Sequence, residues 1–497
     1  MLRNALNNLA GALIPALIMF VTVPIFIRGL GQADYGLFVI VTSIAGYLAV
    51  LDINVTASSV KFVAESRALG DHARVGQVVG FGLAFYALIG VVGAVLQFVF
   101  AVPLTKWLAE SPGNADMIHV LRVSAIGFLL AQLYSFGLSI PQALERYDIS
   151  SGIEILNGVA VPTVIALLVL AGGHLAGVMW LRNALAAVSV LMLFWLIRRL
   201  LPHVGIAWPQ KALRRELLSF SAYTYLSRLA SLSYQHSDKL VIAAVLGVPQ
   251  VALYSVPVVL ANRVLGMTFR LTQVIFPTSS ALLAKGAHVE VRELMLLSMR
   301  YVGVLNVMAV VGLALIGRWF LTAWLGPEFA DKGTAVLIMI AIGTLVDSVT
   351  NAPSLVTDGS GRPAVTGFFS AGRAVVGLAA IFVGARWGGI EGVAASHLVV
   401  SIFSAAVFLA YFGKRVIRIE AAVWWQHALA PAALVAVVGM VVGEALVLLL
   451  SPASAWAHPV AAVAAEMVML VVFWRHTLLP EHRARVRRRI FATTDAG

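Results

Sequence analysis

The chain alternates long apolar runs with short polar breaks from one end to the other. A helix that crosses a membrane needs about 20 mostly apolar residues, and stretches of roughly that length recur fourteen times here. The pattern therefore predicts an all-α polytopic membrane protein of about fourteen transmembrane helices. The predicted spans are 8–28, 37–60, 78–102, 118–140, 153–172, 175–197, 218–246, 251–283, 298–317, 334–356, 364–384, 391–413, 424–450 and 459–479.

Composition supports a membrane protein and excludes several kinds of site. The 497 residues are 60% hydrophobic and 12% charged, whereas soluble domains are about 25% charged. The chain has no cysteine, which excludes a disulfide framework and a zinc–thiolate site. The first apolar run, 9–27, is longer than the apolar core of a signal peptide, so we interpret it as a retained first span.

The basic residues predict the orientation of the chain in the membrane. Net charge is +12, and most loop Lys and Arg fall on one set of alternate loops together with the basic C-terminal tail, as is typical of cytoplasmic loops. This pattern predicts cytoplasmic termini and explains the positive charge without nucleic acid. The opposite loops carry only Arg28, Lys106, Arg318, Lys332 and Arg386.

The first six spans resemble the next six at an offset near 216 residues, as between Gly31 and Gly247. Within one residue of this offset, 102–108 matches 318–325, and at 216 residues Ala125-Ile-Gly127 matches Ala341-Ile-Gly343 and Gly172-Gly173 matches Gly388-Gly389. Because each half has an even number of spans, six, both halves enter the membrane from the same side and are parallel repeats. In transporters built this way, the substrate site lies between the halves near the bilayer midplane, and one half rocks against the other to give alternating access. We expect three parts: an N-terminal lobe at 1–205, a C-terminal lobe at 206–418, and the last two spans with a basic tail at 419–497.

Short motifs give the chain a family resemblance. Leu30-Gly31 followed by Tyr35-Gly36, Asp52 within 51–54, Leu246-Gly247, and Trp324-Leu-Gly326 carry it. With its length and repeat, the chain resembles the polysaccharide-transport branch of the multidrug/oligosaccharidyl-lipid/polysaccharide exporter superfamily, which are flippases for lipid-linked O-antigen or exopolysaccharide repeat units. That branch usually has Gly where this chain has Asn54. The resemblance implies that spans one, two, seven and eight line a central cavity.

Charged groups at membrane depth are costly and mark pathways or structural pairs. Span seven carries polar residues on one helical face, and span eight carries two arginines seven residues apart, with Arg263 about 18 Å from Val251 along the helix. We expect a cationic substrate-binding cavity, because arginine matches phosphate and stays charged when buried. Its candidate residues are Arg228, Gln235, Lys239, Asn262, Arg263 and Arg270. Structural pairing is the alternative for each cation.

Other polar and helix-bending residues have separate expectations. Asp238 adjoins Lys239, but successive helix positions diverge by about 100°, so we expect Asp238 to cap a helix or pair elsewhere rather than to bind substrate. Asp52 and Asp347 are candidate ion-coupling residues, with structural hydrogen bonding as the alternative. Proline removes a helical hydrogen bond, which makes prolines in three cavity-helix positions candidate hinges or static kinks. They are Pro15, Pro24 and Pro257.

The sequence shows no enzymatic site, no metal cluster and no phosphate-binding Gly-Lys motif, so we expect no cofactor. The leading hypothesis is a bacterial inner-membrane flippase for polyprenyl-diphosphate-linked glycan, moving it to the periplasmic leaflet. Its expected partners are that glycan, membrane lipids and a polysaccharide polymerase or export machinery. The alternatives are a multidrug–cation antiporter, a peptidoglycan-precursor flippase, and a membrane glycosyltransferase, polymerase or ligase, which generally needs a larger outer loop.

Overall fold

The computed structural model describes residues 2–48, 51–52, 55–108, 115–144, 146–202, 204–272, 275–360, 362–417, 419–450 and 456–484. Within its helices, some side chains lie outside the described set, the longest runs being 2–17 and 222–236. The described part of the chain is almost entirely helical. A bilayer core offers a backbone no hydrogen-bonding partners, so a spanning chain satisfies its own groups as helix.

Fifteen α-helices follow one another along this part of the chain. They are α1 (Leu2–Leu48), α2 (Val55–Ala68), α3 (His72–Leu108), α4 (Ala115–Ala143), α5 (Tyr147–Leu170), α6 (Leu175–Leu200), α7 (Lys211–Leu246), α8 (Val248–Thr272), α9 (Ile275–Ala284), α10 (His288–Leu325), α11 (Pro327–Gly359), α12 (Pro363–Arg415), α13 (Ala421–Trp424), α14 (Ala430–Leu450) and α15 (Ala457–Val472). A π-helical turn, Trp425–Leu429, joins α13 to α14, and another, Phe473–Thr477, follows α15.

The predicted membrane architecture is confirmed. Among the described residues, 11 helical stretches are long and apolar enough to cross a membrane. Two of them each contain two predicted spans, because α1 departs from helical geometry at Gly31 and α12 does so at Gly388 and Gly389. The seventh predicted span falls on α7, where many side chains lie outside the described set. Each of the fourteen predicted spans therefore falls wholly or mostly on described helix.

One predicted span is less continuous than the apolar pattern suggests. Span two was expected to run unbroken over 37–60, but α1 ends at Leu48 and α2 begins at Val55, so that Asp52 lies between helices. Span eight falls on α8 and α9, and residues 273–274 between them are outside the described chain. Hydropathy shows only that a segment is apolar enough to stay in the membrane. It does not show a local break in the helix, where side chains or other groups can bond the freed backbone amides and carbonyls.

Glycines with left-handed backbone recur at the offset of the sequence repeat. Gly31 has φ 84° and ψ 166°, and Gly247 has φ 90° and ψ 159°. Gly70 and Gly286 form a second pair at the same offset, with φ of 71° and 73°. A residue with a Cβ is strained at these angles. The two halves of the chain therefore turn in the same way at matching positions, as parallel repeats should.

The chain divides into two compact units, Met1–Ala252 and Leu253–Gly497. In the first, α2, α3 and α4 pack around Phe62, Tyr86 and Phe136. In the second, one core joins α10 to α12 around Phe412, and another packs α14 and α15 against α10. The three-part division with boundaries at 205 and 418 remains a prediction.

Candidate substrate site and the charged groups of the spanning helices

An exposed polar face begins partway along α8. The first turns of this helix, from Val251 to Val258, are buried, whereas Asn262, Arg263 and Gly266 are exposed. Arg263 lies about 22 Å from the first residue of α8, at the helical rise of 1.5 Å, which is well within a bilayer core of about 30 Å. Among the described residues, no carboxylate forms a salt bridge with Arg263. Asn262 and Arg263 thus present an exposed polar surface at membrane depth, with no carboxylate partner among the described residues.

The end of α7 holds an ion pair between two neighbouring residues, Asp238 and Lys239, whereas Asp238 was expected to find a partner elsewhere. Lys239 Nζ lies 3.2 Å from Asp238 Oδ1, and the two side chains are only 13% and 14% exposed. Asp238 also accepts a 2.8 Å hydrogen bond from the backbone NH of Lys239. The expectation that Asp238 pairs elsewhere was wrong, because a four-carbon lysine chain can bend back across the angle that separates successive helix positions. Next to the pair, Tyr47 of α1 donates a hydrogen bond to Ser237.

Several predicted site residues lie where no side chain is described. Arg228 and Gln235 belong to α7, Arg270 to α8 and Pro15 to α1, but all four side chains are outside the described residues. Of the six predicted substrate-binding residues, Lys239, Asn262 and Arg263 can therefore be placed. The roles of all six stay predictions.

Asp52 lies at the break between α1 and α2, and Tyr86 of α3 holds it there. The Tyr86 hydroxyl donates a 2.7 Å hydrogen bond to Asp52 Oδ1 and accepts a 3.0 Å hydrogen bond from the backbone NH of Thr56. Asp52 is 4% exposed and Tyr86 is fully buried. One phenol thus ties a carboxylate to a backbone amide in the first turn of α2. No sequence pattern indicated this partner, because Tyr86 is 34 residues away from Asp52.

Asp347 of α11 is held by a bidentate pair with Arg373 of α12. Arg373 donates from Nη1 and Nη2 to the two carboxylate oxygens, both at 2.6 Å. Arg373 Nη2 also donates to Ser401 at 3.0 Å, and His397 Nε2 lies 4.0 Å from Asp347. This geometry is typical of a structural clamp between α11 and both halves of α12. The ion-coupling role of Asp347 stays a prediction, as does that of Asp52.

The two described candidate hinge prolines lie in regular helix. Pro24 lies in the part of α1 before Gly31, and the backbone leaves helical geometry at Gly31 rather than at the proline. Pro257 is inside α8 and packs against α11, where a Cβ on Gly333 would come within 3.0 Å of its ring. Their hinge roles stay predictions. Among the described residues, no group of three His, Asp or Glu side chains could hold a metal ion.

A cavity inside the first unit has on its wall an arginine that forms no salt bridge with any described residue. It measures about 300 Å³ and lies among α1, α4, α5 and α6. Arg182 of α6 lines it and lies over the ring of Phe38, 5.6 Å from the ring centre. The other polar lining residues are Ser124, Tyr134, Asn157, Asn183 and Ser189. Arg182 was not among the predicted substrate-binding residues, because α6 is outside the four spans expected to line the central cavity.

Comparison with known proteins identifies related sequences and folds. The profile described as polysaccharide biosynthesis protein matches residues 1–283. A Shigella flexneri protein described as a candidate O-antigen transporter is 23% identical over 404 residues, which cover 80% of this chain and 93% of that protein.

Two solved structures share the fold at low sequence identity. One is the lipid II flippase MurJ in an inward closed conformation, with a TM-score of 0.71 and 11% identity over 96% of this chain and 99% of MurJ. The other is an inward-facing multidrug resistance MATE family transporter of the MOP superfamily, with a TM-score of 0.67 and 14% identity over 82% of this chain and 98% of the transporter. At these identities the likeness is one of fold.

Proposed function

Because this chain belongs to the polysaccharide biosynthesis protein family, we propose that it is a flippase for polyprenyl-diphosphate-linked oligosaccharide repeat units. It carries them from the cytoplasmic to the periplasmic leaflet of the bacterial inner membrane by alternating access. The product serves exopolysaccharide or O-antigen synthesis, with a polysaccharide polymerase or export machinery downstream. In this proposal both termini are cytoplasmic, and the protein transports its substrate without acting as an enzyme.

The observation that carries the proposal is the exposed Asn262–Arg263 surface of α8. An arginine at membrane depth is expensive unless it faces water, a partner or an anionic ligand. A diphosphate that crosses the membrane has a desolvation cost of the same kind, although its charge is negative. The guanidinium offers paired donors that match phosphate oxygens, and the Asn262 amide can both donate to and accept from sugar hydroxyls. Each charge lowers the desolvation cost of the other.

The multidrug–cation antiporter is the first alternative, and the bonding of three aspartates in the spanning region argues against it. An antiporter for cationic drugs needs carboxylates that are available to bind them. Asp238 pairs with Lys239 and Asp347 with Arg373, while Asp52 is buried and bonded to Tyr86. Arg263, in contrast, is exposed. This distribution favours an anionic substrate.

A peptidoglycan-precursor flippase is the second alternative, since the fold of the lipid II flippase MurJ covers nearly the whole chain. Both substrates are diphosphate lipids, so the cationic surface does not separate them. The family match and the relative described as a candidate O-antigen transporter favour the polysaccharide substrate. A strain that lacks the protein separates the two: loss of polysaccharide with normal growth supports the proposal, and a block in peptidoglycan synthesis supports the alternative.

Substitution of Arg263 tests the proposal directly. In a deletion strain, wild-type protein should restore surface polysaccharide, and Arg263→Gln should restore at most a tenth of it, since loss of a charge-assisted hydrogen bond to phosphate costs about tenfold or more. Glycan-loaded polyprenyl-diphosphate should accumulate on the cytoplasmic side at the same time. The measurement is quantitative polysaccharide blotting together with mass spectrometry of extracted lipids.

The matched control is Arg122→Gln on α4, an exposed arginine of a spanning helix that lies over the ring of Phe98. It should export normally. Arg263→Gln protein that inserts at the wild-type level and exports normally would overturn the cationic site. Normal polysaccharide and normal lipid pools in the deletion strain, where no second flippase is present, would overturn the proposed function itself.

A further inference from the structure

The surroundings of Arg182 differ from the corresponding region in the second half of the chain in a way that indicates a ligand. The sequence repeat relates α4 to α11 through Ala125-Ile-Gly127 and Ala341-Ile-Gly343. At the same offset of 216 residues, Asp347 corresponds to Ala131 and Arg373 corresponds to Asn157. The second half therefore contains an ion pair, Asp347 with Arg373, where the first half has Ala131 and Asn157.

Ala131 and Asn157 both line the 300 Å³ cavity of the first unit, and so does Arg182. Where the second half encloses a carboxylate and a guanidinium that neutralise each other, the first half leaves open space and supplies a guanidinium from α6. None of the described residues that line the cavity is an Asp or a Glu. Arg182 is seven residues, or about 10 Å, beyond the first residue of α6, so its charge lies within the membrane-spanning region.

The polar groups around Arg182 are positioned by contacts of their own. Asn157 donates to the Tyr134 hydroxyl at 3.3 Å and accepts from Ser189 at 2.6 Å, while Asn183 donates to the carbonyl of Val123 at 2.8 Å. These contacts hold the wall rigid, and the phenol proton of Tyr134 can still be donated into the cavity. A guanidinium and a phenol are both donors, and a wall made of donors without a carboxylate suits an anion.

We infer that this cavity is an oxyanion-binding site in which Arg182 is the principal ligand-binding residue and Tyr134 assists. Its volume is about that of ten liquid-water molecules, which accommodates a phosphate or a carboxylate group with the small residue that bears it. The site is separate from the Asn262–Arg263 surface of the second unit, and the inference does not depend on which substrate is transported. The oxyanion comes either from an acidic lipid headgroup or from a free phosphate.

Thermal unfolding of the purified full-length protein tests the inference. The protein is placed in phosphatidylcholine nanodiscs, and inorganic phosphate is titrated at constant ionic strength. All proteins carry Arg263→Gln, so that the proposed substrate site does not contribute. Phosphate should raise Tm in a saturable way, and Arg182→Gln should weaken this response by about ten- to hundredfold, as expected for one lost charge-assisted contact.

Ala131→Asp provides a second variant that does not depend on removal of the arginine. It places a carboxylate at the position that Asp347 occupies in the other half, where it can pair with Arg182. The phosphate response should disappear, while Tm without phosphate stays the same or rises. Arg122→Gln, whose side chain is outside the cavity, is the control and should keep the full response.

Nanodiscs that contain phosphatidylglycerol distinguish the two sources of the oxyanion. If a headgroup occupies the site, these nanodiscs should raise Tm in an Arg182-dependent way and free phosphate should add nothing. Either source supports the site. An Ala131→Asp protein with an undiminished response, or a parent protein that responds neither to phosphate nor to phosphatidylglycerol, would overturn it.

Discussion

Single side chains in the spanning helices fall into two electrostatic classes. Asp347 and Arg373 form a bidentate pair with side chains 27% and 21% exposed, and Lys239 pairs with its neighbour Asp238. Arg182 and Arg263, in contrast, form no salt bridge with any residue that the structure describes. The paired groups are positioned to hold their helices together, whereas Arg182 and Arg263 are positioned to contact an anion.

The Asp347–Arg373 pair should behave as a structural clamp when one partner is removed. Arg373→Gln should lower stability by about 2–4 kcal/mol, because the carboxylate keeps its desolvation cost and loses its counter-charge. The double variant Asp347→Asn/Arg373→Gln should recover much of this loss. Unfolding of the purified protein in detergent measures both, with Arg318→Gln as the control because its pair with Asp331 is exposed and worth at most about 1 kcal/mol. Additive losses in the double variant would refute the clamp.

At the scale of elements, glycines decide where helices bend and how closely they pack. Gly31 ends the helical geometry of the first predicted span, and Gly36, five residues later, lies against the backbone carbonyl of Val248. Tyr35 between them is buried. The Leu-Gly-x-x-x-Tyr-Gly motif at 30–36, which carried the family resemblance, thus has a structural role: it places a bend in α1 and then a close contact between α1 and the start of α8.

Gly36→Ala should destabilise the protein, because the Cβ of the new alanine would overlap the Val248 carbonyl oxygen. A backbone carbonyl cannot move away by changing rotamer. Overpacking of this kind costs about 1–3 kcal/mol. Gly152→Ala on α5 is the matched control, since no atom lies within 4 Å of its added Cβ and alanine favours a helix by about 0.8–1 kcal/mol. The comparison is made by thermal unfolding in detergent. Equal midpoints for the two variants would contradict the close-packing interpretation.

At the scale of the whole molecule, the repeat and the positive-inside pattern together predict which loops share a side of the membrane. Parallel halves place residues 216 positions apart on the same side. The matched left-handed glycines at 70 and 286 agree with this equivalence. The predicted topology then places Leu69 and Lys285 in the cytoplasm, and His174 and Trp387 in the periplasm.

The absence of cysteine makes this topology directly testable. Single variants Leu69→Cys, Lys285→Cys, His174→Cys and Trp387→Cys all replace exposed residues. A membrane-impermeant maleimide should label the His174 and Trp387 variants in intact spheroplasts and the other two only after permeabilisation. The cysteine-free parent is the control for background. If either pair splits between the two patterns, the halves are not parallel.

The sequence by itself determined the membrane architecture. A span must be apolar over a fixed length and must satisfy its backbone internally, so the fourteen spans could be found without knowledge of any neighbour. The bends at Gly31, Gly172 and Gly389 were likewise marked by glycine, because left-handed backbone angles strain any other residue. The internal repeat was visible for the same reason, since both halves obey the same local rules.

Only the tertiary structure decided which charges are neutralised and where space is left. Tyr86 bonds Asp52 from 34 residues away and Arg373 clamps Asp347 from 26, and the cavity at Arg182 is bounded by four helices. A sequence gives the residue types at membrane depth but not the side chains that face them. Whether an arginine is half of an ion pair or the wall of an anion site depends on one facing carboxylate, which is present at Asp347 and absent at Ala131.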